Sequence, residues 1–221
     1  MIQELFQITK CRGNFGPAIV LRSGDRVTQA ASDVQFRYEQ ELEDGVARYL
    51  DGPFVHDATT PFRGIAKIIA NTARGGPRSG KWTQPDLTLV AIQKLLILKR
   101  IDLELFSFEL KRAGDSDVDS VFEAVAHTRW THYAYLAWHQ PSNVHIPPEK
   151  KKDVESNCRA HGIGLITFSD PLLPASYDIL LAPMRKSPHP VDVEDYLEKR
   201  LKSSDLAALK SRVHELELSL R

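Results

Sequence analysis

Residues 82–111, WTQPDLTLVAIQKLLILKRIDLELFSFELK, decide how this chain folds. Pro85-Asp86 leads into one apolar run, a short break follows, and a second apolar run ends in Glu109-Leu110-Lys111. Short runs of this kind, rich in Leu, Ile, Val and Phe, predict two neighbouring strands. Side chains alternate along a strand, so Ser107, Glu109 and Lys111 share one face while Phe106, Phe108 and Leu110 share the other. Earlier in the same run Ile101, Leu103 and Leu105 hold the opposite parity, which predicts a bulge or bend at Leu105-Phe106. Two carboxylates and one ammonium thus stand at the ends of adjacent predicted strands.

Upstream, Leu42, Val46, Tyr49 and Leu50 recur at helical spacing and predict an amphipathic helix over 34–50, stopped by Gly52-Pro53. Ile65, Ile68 and Ile69 predict a second short helix, followed by a glycine-rich basic loop over 72–81. Arg63, Lys67, Arg74, Arg78 and Lys81 make this the most cationic part of the chain before the motif. Alone they would form a solvated surface loop. Facing a polyanion they are expected to contact backbone phosphates, as a nucleic-acid-binding element does. Residues 1–32 carry a weaker signal and are expected to form an N-terminal arm or layer.

Downstream of a polar turn at 113–117, Val118, Val121, Phe122, Val125, Ala126 and Trp130 form an apolar helical face expected to pack on the sheet. Strands are expected at 133–138, 163–168 and 177–181, with a polar helix over 150–161. This alternation implies an α/β domain with a mixed sheet. A helical tail is expected over 185–221, where Val193, Leu197, Leu201, Leu206, Leu209, Val213, Leu216 and Leu220 are separated by charged residues. Such a tail either docks on the domain or joins two copies as a homodimer.

Of the 221 residues, 42% are hydrophobic and 26% charged, values that exclude a disordered or fibrous chain and suffice for one core plus an appendage. Lys and Arg total 29, as do Asp and Glu, so any affinity for nucleic acid must come from a local patch. Cys11 and Cys158 lack metal-type spacing and suit a cytoplasmic protein with two ordinary thiols, a single disulfide being the alternative. The first residues lack a secretory pattern, and apolar runs such as 95–98 are far too short to span a membrane, so no membrane partner is expected.

A carboxylate two positions before a lysine arises by chance roughly once or twice in a chain of this size. Glu149-Lys150-Lys151 has the same spacing, but its proline-bounded polar segment offers no strand to hold it. Glu109 and Lys111 do have such a strand, where the competing reading is a solvent-facing salt pair. Motifs of other hydrolases and nucleotide-binding enzymes, GxSxG, GxxxxGK[ST] and GxGxxG, are absent from the sequence.

Pro85-Asp86, an interval of 22 residues and Glu109-Leu110-Lys111 resemble the PD-(D/E)XK nuclease superfamily. That resemblance implies a restriction-endonuclease-like fold over 33–184, a mixed central sheet flanked by helices, with the helix after the second motif packed over the site. It further implies Mg²⁺, with Mn²⁺ as substitute, held by Asp86, Glu109 and the Leu110 carbonyl. Mg²⁺ prefers one or two carboxylates and keeps several waters, which such a site provides. Lys111 would orient or deprotonate the attacking water or stabilise the phosphorus centre. The implied reaction is phosphodiester hydrolysis, in DNA by family habit, of restriction, defence or repair type. The family often places another glutamate on a preceding helix, with apolar residues three and seven positions later and a hydrophobic strand beyond. Glu43 fits with Val46, Leu50 and Phe54-Val55; Glu39 fits less closely, with Leu42 and Val46. Glu123 and His127, one turn apart on the following helix, are further candidates to approach the cleft. A non-catalytic nucleic-acid-binding or assembly protein with the same fold is the alternative.

Overall fold

In the computed structural model, which describes residues 39–73 and 84–220, six strands lie side by side in chain order. They are β1 (Ala66–Asn71), β2 (Leu87–Leu95), β3 (Arg100–Lys111), β4 (Tyr133–His139), β5 (Gly164–Phe168) and β6 (Tyr177–Leu181). The first three form an antiparallel meander, β3 to β5 run parallel, and β6 returns antiparallel to β5. Parallel neighbours need crossovers. Helices α2 (Val118–His127) and α3 (Pro148–His161) supply them, giving the expected mixed sheet flanked by helices.

Helix α1 (Gln40–Tyr49) covers one face of the sheet. Leu42, Val46 and Tyr49, joined by Leu50 and Phe54, pack on Leu87, Leu89, Phe106, Phe108 and Tyr135. Phe54 meets Phe106, Phe108 and Tyr135 edge-on, with ring centroids 6.3, 5.5 and 5.5 Å away. Full burial of each such side chain contributes about 1.5–3 kcal/mol. The opposite face is shared between two helix pairs. Val121 and Ala124 of α2 and Val154 and Cys158 of α3 cover Ala134, Leu136 and Leu165. Tyr196 and Leu197 of α4 (Pro190–Arg200), Leu201, and Leu209 of α5 (Ser203–Leu218) cover Ala70, Val90, Ile92 and Leu105.

This division accounts for the parity change in β3 without a bend. The β2–β3 register runs unbroken from Leu87 opposite Phe108 to Leu95 opposite Arg100, so the bulge expected at Leu105-Phe106 is absent. Ile101, Leu103 and Leu105 face the α4–α5 pair, whereas Phe106, Phe108 and Leu110 face α1. Both faces of one continuous strand are apolar because different helices cover them.

Three further expectations are corrected. The segment around Ile65, Ile68 and Ile69 is strand β1 and not a helix: Ala66 and Ile68 turn to the α4–α5 side, Ile69 to the α1 side. Its β-branched residues suit that alternation once β2 pairs with it. Gly52-Pro53 does not stop the first helix, because Leu50–Phe54 form a π-helical turn that contains Pro53 and carries Phe54 into the core. Inward positions of α2 belong to Ser120, Val121, Ala124 and His127, while Phe122 is exposed and Trp130 lies beyond the helix, stacked on Tyr196. The expected helical tail comprises α4 and α5, and of its two alternatives it takes the docked one, its apolar residues being spent on the sheet. Among the described residues no helix is long and apolar enough to cross a membrane. The N-terminal arm, Arg74, Arg78 and Lys81 lie outside the described residues.

Candidate functional site

The end of β1, the start of β2 and the end of β3 meet at one end of the sheet. Asp86 stands just before β2. Its N–H donates to the Phe108 carbonyl at 3.1 Å, and its Oδ2 accepts the Leu110 N–H at 2.7 Å. The Asp86 carbonyl accepts the N–H groups of Thr72 and Ala73 at 2.9 and 3.1 Å. The first motif residue is therefore tied to both neighbouring strands.

Glu109 and Lys111 turn toward α2 and are only 7% and 9% exposed, which removes the solvent-facing salt-pair reading. Lys111 Nζ lies 2.7 Å from Glu109 Oε1, 2.8 Å from Glu123 Oε2 and 3.6 Å from Glu39 Oε1. Glu109 Oε2 is 3.8 Å from His127 Nε2. Both His127 nitrogens are buried without a hydrogen-bond partner in this arrangement. Asp117 caps α2 through the Ser120 N–H, and the Ser120 hydroxyl in turn accepts the Asp117 N–H. That reciprocal cap fixes where the helix starts, and so where Glu123 and His127 fall.

Burial lifts the pKa of Asp86 to about 7, opposed by the Leu110 hydrogen bond and the Lys111 charge and reinforced by Glu39 and Glu43. Glu109 is raised well above the ordinary carboxylate range, first by burial and next by the neighbouring Asp86 charge. Burial alone would lower Lys111, but Glu109, Glu123 and Glu39 more than reverse it and hold the side chain as an ammonium. Burial lowers His127 to about 3, so its imidazole is neutral. Burial also raises Glu39.

Glu43 is buried and accepts a hydrogen bond from the Asn71 amide at the end of β1; the other end of that amide, Oδ1, is buried without a partner. Asn71 is a site residue that sequence reading missed. Its segment looked helical, and only its pairing with Leu87 places it beside Asp86. The site opens into a cleft of about 500 Å³. Glu39, Asp115, Asp117, Asp119 and Glu123 line it against two cations, Lys111 and Arg112. The mouth is acidic.

Of the candidate residues, Asp86, Glu109, Lys111, Glu43, Glu39, Glu123 and His127 thus gather at this end of the sheet. Arg63 and Lys67 do not. They line a separate hollow of about 330 Å³ with His56 and Phe62, where Arg63 donates to the Thr60 and Phe62 carbonyls and Lys67 pairs with Asp51 at 3.3 Å. Lys67 stands four residues from Asn71 along β1, roughly 13 Å at strand rise.

Among the described residues no three His, Cys, Asp or Glu side chains converge as a metal cage. The donors beside one another are two buried carboxylates, Asp86 and Glu109, whose ionised forms repel and are short of hydration. Such oxygens fit a hard divalent cation that keeps part of its water shell, and nothing in the donor set suits a thiolate-seeking metal.

No family model matches the chain, and no curated protein is similar to it. Among solved structures, a protein of unknown function from Silicibacter pomeroyi aligns over 82% of this chain and 94% of its own, with 14% identity and a TM-score of 0.44.

Proposed function

We propose that this chain is a Mg²⁺-dependent nuclease of the PD-(D/E)XK type, hydrolysing phosphodiester bonds, with DNA the substrate class its motif resemblance implies. One observation carries the reading: Asp86, Glu109 and Lys111 come together in one cluster at the shared end of β2 and β3. Burying such charges opposes folding, and a cluster of them with shifted protonation is what supports a chemical role here.

Asp86, Glu109 and the Leu110 carbonyl would hold Mg²⁺, or Mn²⁺ in its place, which supplies positive charge to the phosphate and acidifies water. Asp86 is kept in position by the Leu110 N–H, and Glu109 by Lys111. Held as an ammonium, Lys111 serves as a hydrogen-bond donor and positive charge toward phosphate oxygens and not as the base. Glu39, raised by burial and facing the cleft, is better suited to accept a proton from water. The acidic mouth sets a condition on binding. A phosphate passing Glu39, Asp115 and Glu123 meets like charge, so substrate affinity should depend on the cation. A homodimer would use outward residues of α4 and α5, since the inward ones are buried on the sheet; light scattering reports it.

The test is cleavage of duplex, single-stranded and branched DNA and RNA in Mg²⁺, with a chelator control and Lys111→Ala. Cleavage that needs Mg²⁺ and Lys111 is expected. No cleavage across the panel, together with no Mn²⁺ binding by calorimetry, would turn the reading to a non-catalytic nucleic-acid-binding or assembly protein.

A further inference from the structure

We infer that Thr72, Thr88 and Tyr196 form a one-way hydroxyl chain that positions Asp86, which makes helix α4 a working part of the site and not an appendage. Its catalytic consequence rests on the nuclease reading; its structural content does not.

The three hydroxyls are buried and in series. Thr72 Oγ1 donates to the Pro85 carbonyl at 2.8 Å, Thr72 Oγ1 and Thr88 Oγ1 are 3.0 Å apart, and Thr88 Oγ1 is 2.5 Å from Tyr196 Oη. Each hydroxyl has one proton, and a carbonyl can only accept. The Thr72 proton is committed to Pro85, so Thr88 must donate to Thr72. The Thr88 proton is then committed, so Tyr196 must donate, either to Thr88 or to Thr72, which it also reaches. Burial raises the Tyr196 phenol to about 12, which keeps that donor protonated. Every bond in the chain therefore points from α4 toward the peptide that joins Pro85 to Asp86.

That peptide is planar, so gripping it at both ends sets the start of the Asp86 side chain. Its carbonyl takes the Thr72 hydroxyl and its N–H donates to Phe108. Thr72 holds the next carbonyl as well, because its N–H donates to Asp86 O at 2.9 Å. One fully buried threonine thus straddles Asp86, and Thr88 and Tyr196 stand behind it. Tyr196 is itself fixed from the other side by Trp130, stacked at 5.6 Å. None of the three hydroxyls lines the cleft, so they act through Asp86 and are positioning residues.

The test uses the full chain and compares Thr72→Val, Thr72→Ser and Tyr196→Phe. Amide exchange by NMR is followed at Leu110, whose N–H reports the Asp86 carboxylate, relative to Ala137 at the centre of the sheet, which reports global stability. Thr72→Val should speed Leu110 exchange relative to Ala137 by about 2- to 10-fold, the equilibrium worth of one hydrogen bond. Tyr196→Phe should act in the same direction but less, and Thr72→Ser should match the wild type. In the cleavage assay Thr72→Val and Tyr196→Phe should lower kcat and leave KM unchanged, while Thr72→Ser should keep both. An unchanged Leu110-to-Ala137 ratio in both Thr72→Val and Tyr196→Phe, or no rescue by Thr72→Ser, overturns the inference. Should Thr72→Val not fold, Tyr196→Phe decides alone, since its ring still packs. If the wild type cuts nothing, the nuclease reading fails while the exchange ratio still rules on the brace.

Discussion

The two ends of the β2–β3 hairpin break opposite rules of burial. At one end Glu109 and Lys111 are buried charges; at the other Leu96, Ile97 and Leu98 form an apolar turn that is 68%, 96% and 61% exposed. About 30 Å of strand separates them, and one unbroken register joins them. Exposed leucines forgo burial but leave no group unsatisfied. Buried carboxylates need partners, and here each has them: Leu110 N–H for Asp86, and Lys111 for Glu109. The difference teaches that the charged end is an organised feature of the fold, while the apolar tip is what no helix among the described residues covers.

The largest expected effect separates the ends by activity. Asp86→Ala, Glu109→Ala and Lys111→Ala should each lower cleavage by about 10²–10³-fold or more. Serine at Leu96, Ile97 and Leu98 together should change it less than about twofold, as surface changes far from a site do. Full activity in any one of the three purified motif variants would refute the site assignment.

Stability sharpens the comparison next. Lys111→Ala leaves Glu109 and Glu123 facing each other without their cation, and should cost about 3 kcal/mol by urea unfolding of the metal-free protein at pH 8. Its cleavage must accordingly be assayed well below its unfolding transition. Asp86→Asn should do the reverse, raising the metal-free Tm at pH 8 while abolishing cleavage. The amide can still accept the Leu110 N–H but carries no charge. A Tm below that of the wild type would contradict the raised carboxyl.

The pH dependence follows with a definite sign. Asp86 has a folded value near 7 against an ordinary 3.8, so its neutral form supports the fold at low pH and that support is lost as pH rises through 7. Glu109 acts in the same direction. His127 opposes them, because it is neutral in the fold down to about 3 and gains a proton on unfolding below 6.5. At pH 6.5 unfolded His127 is still half protonated, as are His132 and His139, which burial also lowers in the fold. The carboxylate is therefore isolated by comparing wild type with Asp86→Asn, in which the histidine contributions cancel. The metal-free wild type should lose stability relative to Asp86→Asn between pH 6.5 and 8, and Mg²⁺ should raise the wild-type Tm more at pH 8 than at pH 6.5. A flat profile with equal Mg²⁺ effects would mean that Asp86 and Glu109 bind no cation together. The smallest effect belongs to the tip: Ile97→Ser should change unfolding free energy by no more than about 0.5 kcal/mol, since the side chain buries almost nothing.

Much of the charged end was legible in the residues alone. Period-two alternation placed Glu109 and Lys111 on one side of a strand, and the apolar runs placed Asp86 at the head of its neighbour. Strands at Tyr177–Leu181 and near 133–138 and 163–168 were equally local signals. What failed were readings that needed a partner. Ile65, Ile68 and Ile69 looked helical until β2 paired with them, and with that error went Asn71 and Thr72, both beside Asp86. A bulge was expected in β3 because a strand with two apolar faces looks inconsistent until separate helices are found over each.

By itself, then, the sequence determined the local periods outside β1: which of those runs are extended, which helical, and which charges share a strand face, because neighbours along the chain set those by backbone geometry. Tertiary structure alone decided that Lys111 is an ammonium held by three carboxylates, that Arg63 and Lys67 stand apart from the cleft, and that Tyr196 reaches Thr88 from 108 residues away. Burial, charge coupling and hydroxyl direction depend on groups that meet only when the sheet closes, and no spacing in the chain encodes them.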